Sequence, residues 1–135
     1  MKYLKSLTLL ITIMLFACKA QQIKTTDLSS GEYNIISINN NDVSQHELTL
    51  KVNAEKNLIT GYSGCNNYRF NYKESKKQLD LGFGVSSKMY CKDTQAIEDS
   101  FFEATSNVKA FKQSKTSLEL LNSKGQVEVK AVKIN

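Results

Sequence analysis

The residue types that most often perform catalysis are sparse in this 135-residue chain. His46 is the only histidine, and it lies between Gln45 and Glu47 where a loop is expected to meet a strand. A single imidazole outside any cluster of ligands is better interpreted as a solvated surface residue than as a general base or a metal ligand. Ser63 lies in a Gly-Tyr-Ser-Gly run, which lacks the spacing of a G-x-S-x-G nucleophile elbow. The sequence therefore offers no nucleophile with a partnered base.

The carboxylates are no more suggestive of catalysis. Glu98, Asp99 and Glu103 fall within a predicted helix, at positions interpreted as facing away from its apolar stripe. Such residues are typical of a solvated helix face. Asp80 lies alone in a predicted strand, so no pair of carboxylates is available for glycoside hydrolysis. We expect a protein that is not an enzyme and that requires neither a metal nor a cofactor.

The N-terminal residues have the pattern of an export signal. Lys2 and Lys5 precede an uncharged run at residues 7–16, which is too short for a bilayer-spanning helix of about 20 apolar residues. The following Leu-Phe-Ala-Cys at residues 15–18 resembles the bacterial lipobox. The resemblance implies a signal peptide at residues 1–17 and lipidation of Cys18 by fatty chains such as palmitate. The alternative is an ordinary signal peptide and a soluble secreted protein.

Lipidation at Cys18 would attach the protein to a membrane that it does not cross. Lys19 stands where an aspartate would signal retention in the inner membrane, so this resemblance implies an outer-membrane anchor facing the periplasm. Residues 18–30 are polar and without periodicity, and we interpret them as a flexible tether to a domain at residues 31–135. Loss of Lys2 and Lys5 lowers the formal charge from +5 to +3, and the remaining lysines are scattered, which argues against nucleic acid as a partner.

Cys65 and Cys91 remain once Cys18 is assigned to lipid. An even pair in an exported chain favours a disulfide, which would close a loop of about 27 residues and contribute roughly 3.5 kcal/mol in the chain-entropy model. Two free buried thiols are the main alternative. A redox or metal role is disfavoured, because the two cysteines are far apart in sequence and no cluster of further ligands accompanies them.

Short alternating runs separated by turn residues predict strands, and the period changes once. Ile97, Phe101 and Ala104 recur at helical spacing, which predicts a helix over about residues 94–107 with Asp93 or Thr94 as its N-cap. The fold class is therefore α+β, a small antiparallel β-sheet domain of about seven to eight strands packed against one α-helix. The strands are predicted at residues 32–38, 47–53, 58–63, 68–72, 78–83, 108–111, 117–121 and 127–134.

Two segments then carry a family pattern. Residues 61–68 read Gly-Tyr-Ser-Gly-Cys-Asn-Asn-Tyr, and residues 87–91 read Ser-Lys-Met-Tyr-Cys. This pair resembles the signature of the META-domain (HslJ-like) family of bacterial envelope proteins, G-x-x-G-C-N-x-Y followed about twenty residues later by T-x-M-x-C. The matching positions are Gly61, Gly64, Cys65, Asn66, Tyr68, Met89 and Cys91, with Ser87 in place of the usual threonine.

The resemblance covers residues 31–134 and implies a small α+β domain, often a lipoprotein or a heat-shock component of the envelope, with no established catalytic activity. The motif itself is interpreted as architecture. The glycines serve positive φ or close approach, Asn66 bonds the backbone at a bend, Met89 fills the core, and the two cysteines form a staple. The alternative is that residues 64–68 and 86–91 form a binding surface.

The function we expect is that of a non-enzymatic, lipid-anchored envelope protein that contributes to envelope maintenance or stress tolerance by binding an unidentified envelope protein. One alternative is a small-ligand carrier with an aromatic pocket between helix and sheet, although these aromatic residues are better interpreted as core. Another is a protease inhibitor that uses a loop at residues 82–88. The aromatic residues are Tyr62, Tyr68, Phe70, Tyr72, Phe83 and Tyr90.

Overall fold

The computed structural model describes residues 27–134. They form eleven strands, one α-helix and a short 3-10 turn at Ser44–His46. The strands are β1 (Gly31–Ile38), β2 (Asn41–Asp42), β3 (Thr49–Asn53), β4 (Leu58–Tyr62), β5 (Asn67–Asn71), β6 (Lys73–Ser75), β7 (Gln78–Asp80), β8 (Val85–Ser86), β9 (Ala110–Gln113), β10 (Ser117–Leu121) and β11 (Val127–Lys133). The helix α1 spans Gln95–Ser106.

All strand pairs are antiparallel and belong to one sheet with the order β6-β7-β9-β10-β11-β1-β3-β4-β5-β8, while β2 pairs with β1. The sheet forms a half-barrel with α1 packed against it. The α+β class is confirmed, but the prediction of seven to eight strands is too low for the described residues. The three additional strands are β2, β6 and β8, which have only two or three residues. Runs that short carry no readable alternation.

The strands form where apolar side chains alternate with polar ones. In β3, Leu50 and Val52 are buried while Lys51 between them is exposed, and in β5 Tyr68 and Phe70 are buried in the same way. Successive strand residues point to opposite faces of a sheet, so this pattern places one face of each strand in the core. The core therefore lies between the inner face of the half-barrel and α1.

Helix α1 begins and ends within one residue of the predicted bounds. Phe101 and Ala104 are buried, as the stripe predicts, and Thr105 is buried beside them. Thr94 is the N-cap residue, but its side chain makes no capping hydrogen bond. Among the described residues no helix is long and apolar enough to span a membrane.

The packed domain begins before Gly31. Leu28 is only 2% exposed, and its backbone N–H donates to both Glu74 carboxylate oxygens at 2.9 and 3.0 Å. The Ser29 N–H donates to Gln113 Oε1 at 2.8 Å. Leu28 and Ser29, which fall within the predicted tether, are therefore held on the sheet by one buried side chain and two backbone amides. Residues 1–26, including the predicted signal peptide and Cys18, lie outside the described residues.

Candidate functional site

The two motif segments meet beside the N-terminal half of α1. The β4–β5 connection, residues 63–66, faces residues 87–91, which follow β8 along the edge of the sheet. Cys65 and Cys91 form a disulfide with a Cα–Cα distance of 5.7 Å. Gly64 has φ +96°, a left-handed conformation that a side chain would strain. The disulfide therefore joins a tight inter-strand turn to an otherwise irregular segment.

Asn66 supplies a second link between the same segments. Its Oδ1 accepts from the Ser87 hydroxyl and from the Met89 N–H, both at 2.9 Å. Its Nδ2 donates to the Met89 carbonyl at 3.0 Å. Asn66 is 1% exposed, so these bonds form away from water. One amide side chain thus pairs with both the N–H and the carbonyl of Met89 and holds residues 87–89 against β5.

Glu98 is buried at the same junction, where the sequence-based prediction of a solvated residue is wrong. It is only 5% exposed. Its carboxylate accepts from the Ser63 hydroxyl, from the Asn66 N–H at 2.9 Å and from Asn66 Nδ2 at 2.8 Å. A buried carboxylate is tolerated only when hydrogen bonds replace water, and this one has three donors. Glu98 therefore connects α1 to the motif turn.

The helical spacing contained the signal for this residue. Glu98 lies three residues before Phe101 and seven before Thr105, so it belongs to the buried side of α1. Asp99 and Glu103 are exposed, as predicted. Residue type alone favours solvent for all three carboxylates, whereas helical position separates Glu98 from Asp99 and Glu103.

Gly61 and Tyr68 mark a close approach between strands. A Cβ at Gly61 would lie 2.0 Å from the Thr49 carbonyl oxygen, which no side chain can accommodate. The Tyr68 hydroxyl donates to that same oxygen at 2.8 Å. Burial raises the pKa of the Tyr68 phenol well above its ordinary value of 10.0. This tyrosine is therefore a buried, neutral hydrogen-bond donor.

The space between α1 and the sheet is occupied by aromatic side chains. The Tyr68 ring centroid lies 4.7 Å from that of Phe101 and 5.5 Å from that of Phe70, and Phe102 lies 5.4 Å from Phe101. These distances are those of packed aromatic pairs. Tyr68, Phe70 and Tyr72 are core residues, whereas Phe83 and Tyr90 of the same predicted set are exposed. The interior at this position is therefore filled by the chain's own rings.

The prediction that Met89 fills the core is also wrong. Its backbone is fixed by Asn66, but its side chain is 59% exposed. Phe83 is 97% exposed, Val85 57% and Tyr90 79%. We call residues 82–92 the edge segment, because it contains β8, the terminal strand of the sheet. Four of the six exposed large hydrophobic side chains among the described residues lie in it.

The other candidate residues are not brought together. His46 is half-exposed in the 3-10 turn, with its ring 3.2 Å from Gln45 Nε2. Asp80 is exposed, and its carboxylate accepts from the Gly82 N–H at 3.0 Å. Within residues 27–134 no three His, Cys, Asp or Glu side chains are grouped to hold a metal ion.

An open groove of about 730 Å³ crosses β1, β3, β4, β5 and β8. Lys51, Arg69, Val85 and Ile134 are among its lining residues. Arg69 is exposed and lies opposite Val85 in the β5–β8 register. The edge segment therefore forms part of the groove wall, and no residue of α1 lines it.

Solved structures share this architecture at low sequence identity. A DUF4847 family protein from Bacteroides vulgatus, known from a crystal structure, has a TM-score of 0.58 at 10% identity, covering 77% of this chain and 92% of that one. A protein from Burkholderia xenovorans, solved by NMR, has a TM-score of 0.55 at 15% identity, covering 78% and 79%. These likenesses show the fold alone.

The family comparison is more specific. No curated protein matches the sequence significantly. The META domain family matches residues 26–133, which include both motif segments and all eleven strands. Because that match spans most of the chain, this protein belongs to the META domain family.

Proposed function

We propose that this META-domain protein is a lipid-anchored component of the bacterial envelope that acts by non-covalent binding and catalyses no reaction. The lipobox at residues 15–18 supports lipidation at Cys18 and an anchor in the outer membrane, facing the periplasm. The binding surface is the edge segment. Its role is in envelope maintenance or stress tolerance, the setting that the family resemblance implies.

The observation that carries this proposal is the exposure of the edge segment on a fixed backbone. Large apolar side chains on a small domain are normally buried, and a cluster of exposed ones marks an interaction site. Here the β5–β8 pairing, the Asn66 bonds and the Cys65–Cys91 disulfide fix the backbone at residues 85–91. A rigid surface loses little conformational entropy on binding, which favours affinity.

The interior supports an external binding surface over a carrier pocket. Tyr68, Phe70 and Phe101 pack against one another where a ligand between helix and sheet would lie.

The acidic and histidine side chains also support a binding function over a catalytic one. Glu98 is committed to three hydrogen bonds, and His46 contacts no carboxylate among the described residues.

Protease inhibition is a second candidate, favoured by one observation. Phe83 is 97% exposed in the loop at residues 82–88, where an inhibitory side chain would be displayed. Incubation with a panel of serine and cysteine proteases tests it. Inhibition by wild-type protein that is lost in Phe83→Ser would support this candidate.

Metabolic labelling with an alkynyl palmitate in the native host tests the anchor. Wild-type protein and a Cys65→Ser/Cys91→Ser variant should both incorporate the label, whereas Cys18→Ser should not. A deletion strain then tests the binding surface. Wild-type protein should restore survival under detergent or heat stress, and Phe83→Ser/Tyr90→Ser should not, at equal abundance. Absence of label from both proteins that retain Cys18, or full rescue by the surface variant, would contradict the proposal.

A further inference from the structure

We propose that the edge segment docks onto the surface of the same lipid bilayer that holds the acyl chains on Cys18. This inference rests on the proposed function, because it assigns the partner of the surface described there. Phe83, Met89 and Tyr90 would enter the boundary between headgroups and acyl chains, and neighbouring lysines would contact lipid phosphates.

The charge of the edge segment matches an anionic lipid surface. Lys88 and Lys92 are exposed, and residues 81–92 contain no carboxylate. The nearest acidic residues in sequence, Asp80 and Asp93, lie outside both ends of this stretch. Exposed Arg69 lies opposite Val85 and adds a third cation. Aromatic and aliphatic side chains interleaved with cations are typical of surfaces that lie in the membrane interface.

The path of the chain places this surface near the anchor. Asp27 and Leu28 line a cavity together with Tyr72, the residue that follows β5. A Cβ at Gly82, the first residue of the edge segment, would lie 3.1 Å from the carbonyl oxygen of Asn71, which precedes Tyr72. The segment then runs back along β5 through the Val85–Arg69 and Ser86–Tyr68 pairs. The N-terminal connection and the edge segment therefore start from the same end of β5.

The length of the connection favours docking. Residues 18–27 can span at most about 30 Å when fully extended, so the acylated Cys18 keeps Asp27 within that distance of the bilayer. A domain of this size has a radius of gyration of about 13 Å. Confinement by a short link gives an effective concentration in the millimolar range, so a surface with only millimolar affinity would be substantially docked.

The backbone favours a flat partner over a cleft. The Ser87 N–H donates to the Asn67 carbonyl and the Met89 N–H to Asn66 Oδ1, so this part of the segment lies along β5. Residues 85–89 therefore follow the sheet edge and do not project from it as a loop. That shape suits a bilayer better than the narrow active site of a protease.

The absence of tryptophan from the sequence allows a single fluorescent reporter. Phe83→Trp keeps an aromatic side chain at a 97% exposed position, so the fold should be unaffected. Ser123→Trp in the exposed β10–β11 turn is the matched control. Each acylated mature protein is reconstituted into vesicles of phosphatidylethanolamine and phosphatidylglycerol that contain brominated lipid. Flotation of the vesicles and tryptophan emission are measured on the same samples.

The proposal predicts that brominated lipid quenches the emission of the Phe83→Trp protein and that docking protects this emission from aqueous iodide. Brominated lipid should not quench the emission of the Ser123→Trp protein, and aqueous iodide should quench it fully. Each lysine near an anionic surface contributes about a factor of five, so Lys88→Gln/Lys92→Gln should lower the docked-to-free ratio about 25-fold. Far-UV circular dichroism of every variant checks that the fold is retained.

Two results would overturn docking while leaving the anchor intact. One is flotation of the Phe83→Trp protein with the vesicles while iodide quenches its emission as readily as that of the Ser123→Trp protein. The other is protection of the Phe83→Trp emission from iodide without quenching by brominated lipid, which would indicate that a second copy of the chain covers the segment. A chain that carries no acyl group and does not float would instead contradict the proposed function.

Discussion

Replacement of Glu98 tests whether the motif is a structural frame. In Glu98→Ala, three buried donors lose their acceptor: the Ser63 hydroxyl, the Asn66 N–H and the Asn66 side-chain amide. A buried donor left without a partner costs about 1–3 kcal/mol. The Ser63 hydroxyl can still donate to the Asn66 carbonyl at 2.9 Å, and the Asn66 side-chain amide can still donate to the Met89 carbonyl at 3.0 Å. The Asn66 backbone N–H is therefore the donor that loses most.

The free energy of unfolding should therefore fall by about 3 kcal/mol, which is a large fraction of the roughly 5–15 kcal/mol typical of a domain. For a domain of about 100 residues this corresponds to a decrease in Tm of roughly 15 °C. Glu98→Gln keeps the volume and one acceptor oxygen, but its amide group must face one of the three donors. We expect it to lose about 1–2 kcal/mol.

Urea denaturation of the oxidised protein at neutral pH, followed by far-UV circular dichroism, gives these values. Glu103→Ala is the matched control, since it removes an exposed carboxylate from the same helix. It should change stability by less than about 0.5 kcal/mol. Equal midpoints and m-values for Glu98→Ala and Glu103→Ala would refute a structural role for Glu98.

Three further perturbations probe the frame. Gly61→Ala places a Cβ 2.0 Å from a backbone oxygen, so it should lower the free energy of unfolding by more than about 3 kcal/mol. Its control Gly125→Ala, at φ +77° in open space, should lower it by only about 1–2 kcal/mol in the same denaturation assay. Reduction of Cys65–Cys91 should lower the free energy of unfolding by about 3.5 kcal/mol, and an unchanged urea midpoint in dithiothreitol would contradict this. Because burial raises the pKa of Tyr68, this phenol leaves stability independent of pH below the unfolded phenol pKa of 10.0, and stability is lost as the pH rises above it. Tyr68→Phe should be about 1 kcal/mol less stable than wild type at pH 8, because its hydrogen bond to the Thr49 carbonyl is lost. Between about pH 8 and 11 it should lose less stability than wild type, and equal losses in the two proteins would contradict this prediction.

The elements that could be predicted from the sequence are those with a readable period. The stripe containing Phe101 placed α1 to within a residue at each end, and the alternation around Leu50 placed β3. The short β8 could not be predicted, because its two residues pair with β5 through backbone hydrogen bonds that leave no side-chain pattern.

The candidate site was predictable in its parts but not in its connections. The motif identified Asn66 and the cysteines, yet only the fold brings Asn66 to Glu98, 32 residues away in sequence. Met89 illustrates the opposite error, since its residue type favours the core. Its backbone bonds to Asn66 leave the side chain outside, and no local propensity encodes that direction.

Lipid anchoring and the disulfide are tested together by the intact mass of the mature protein purified from membranes of its native host, followed by non-reducing peptide mapping. We expect a chain that begins at Cys18 with acyl groups on that residue, together with a peptide pair linked through Cys65 and Cys91. An unmodified Cys18, or free thiols at both downstream cysteines, would contradict this expectation.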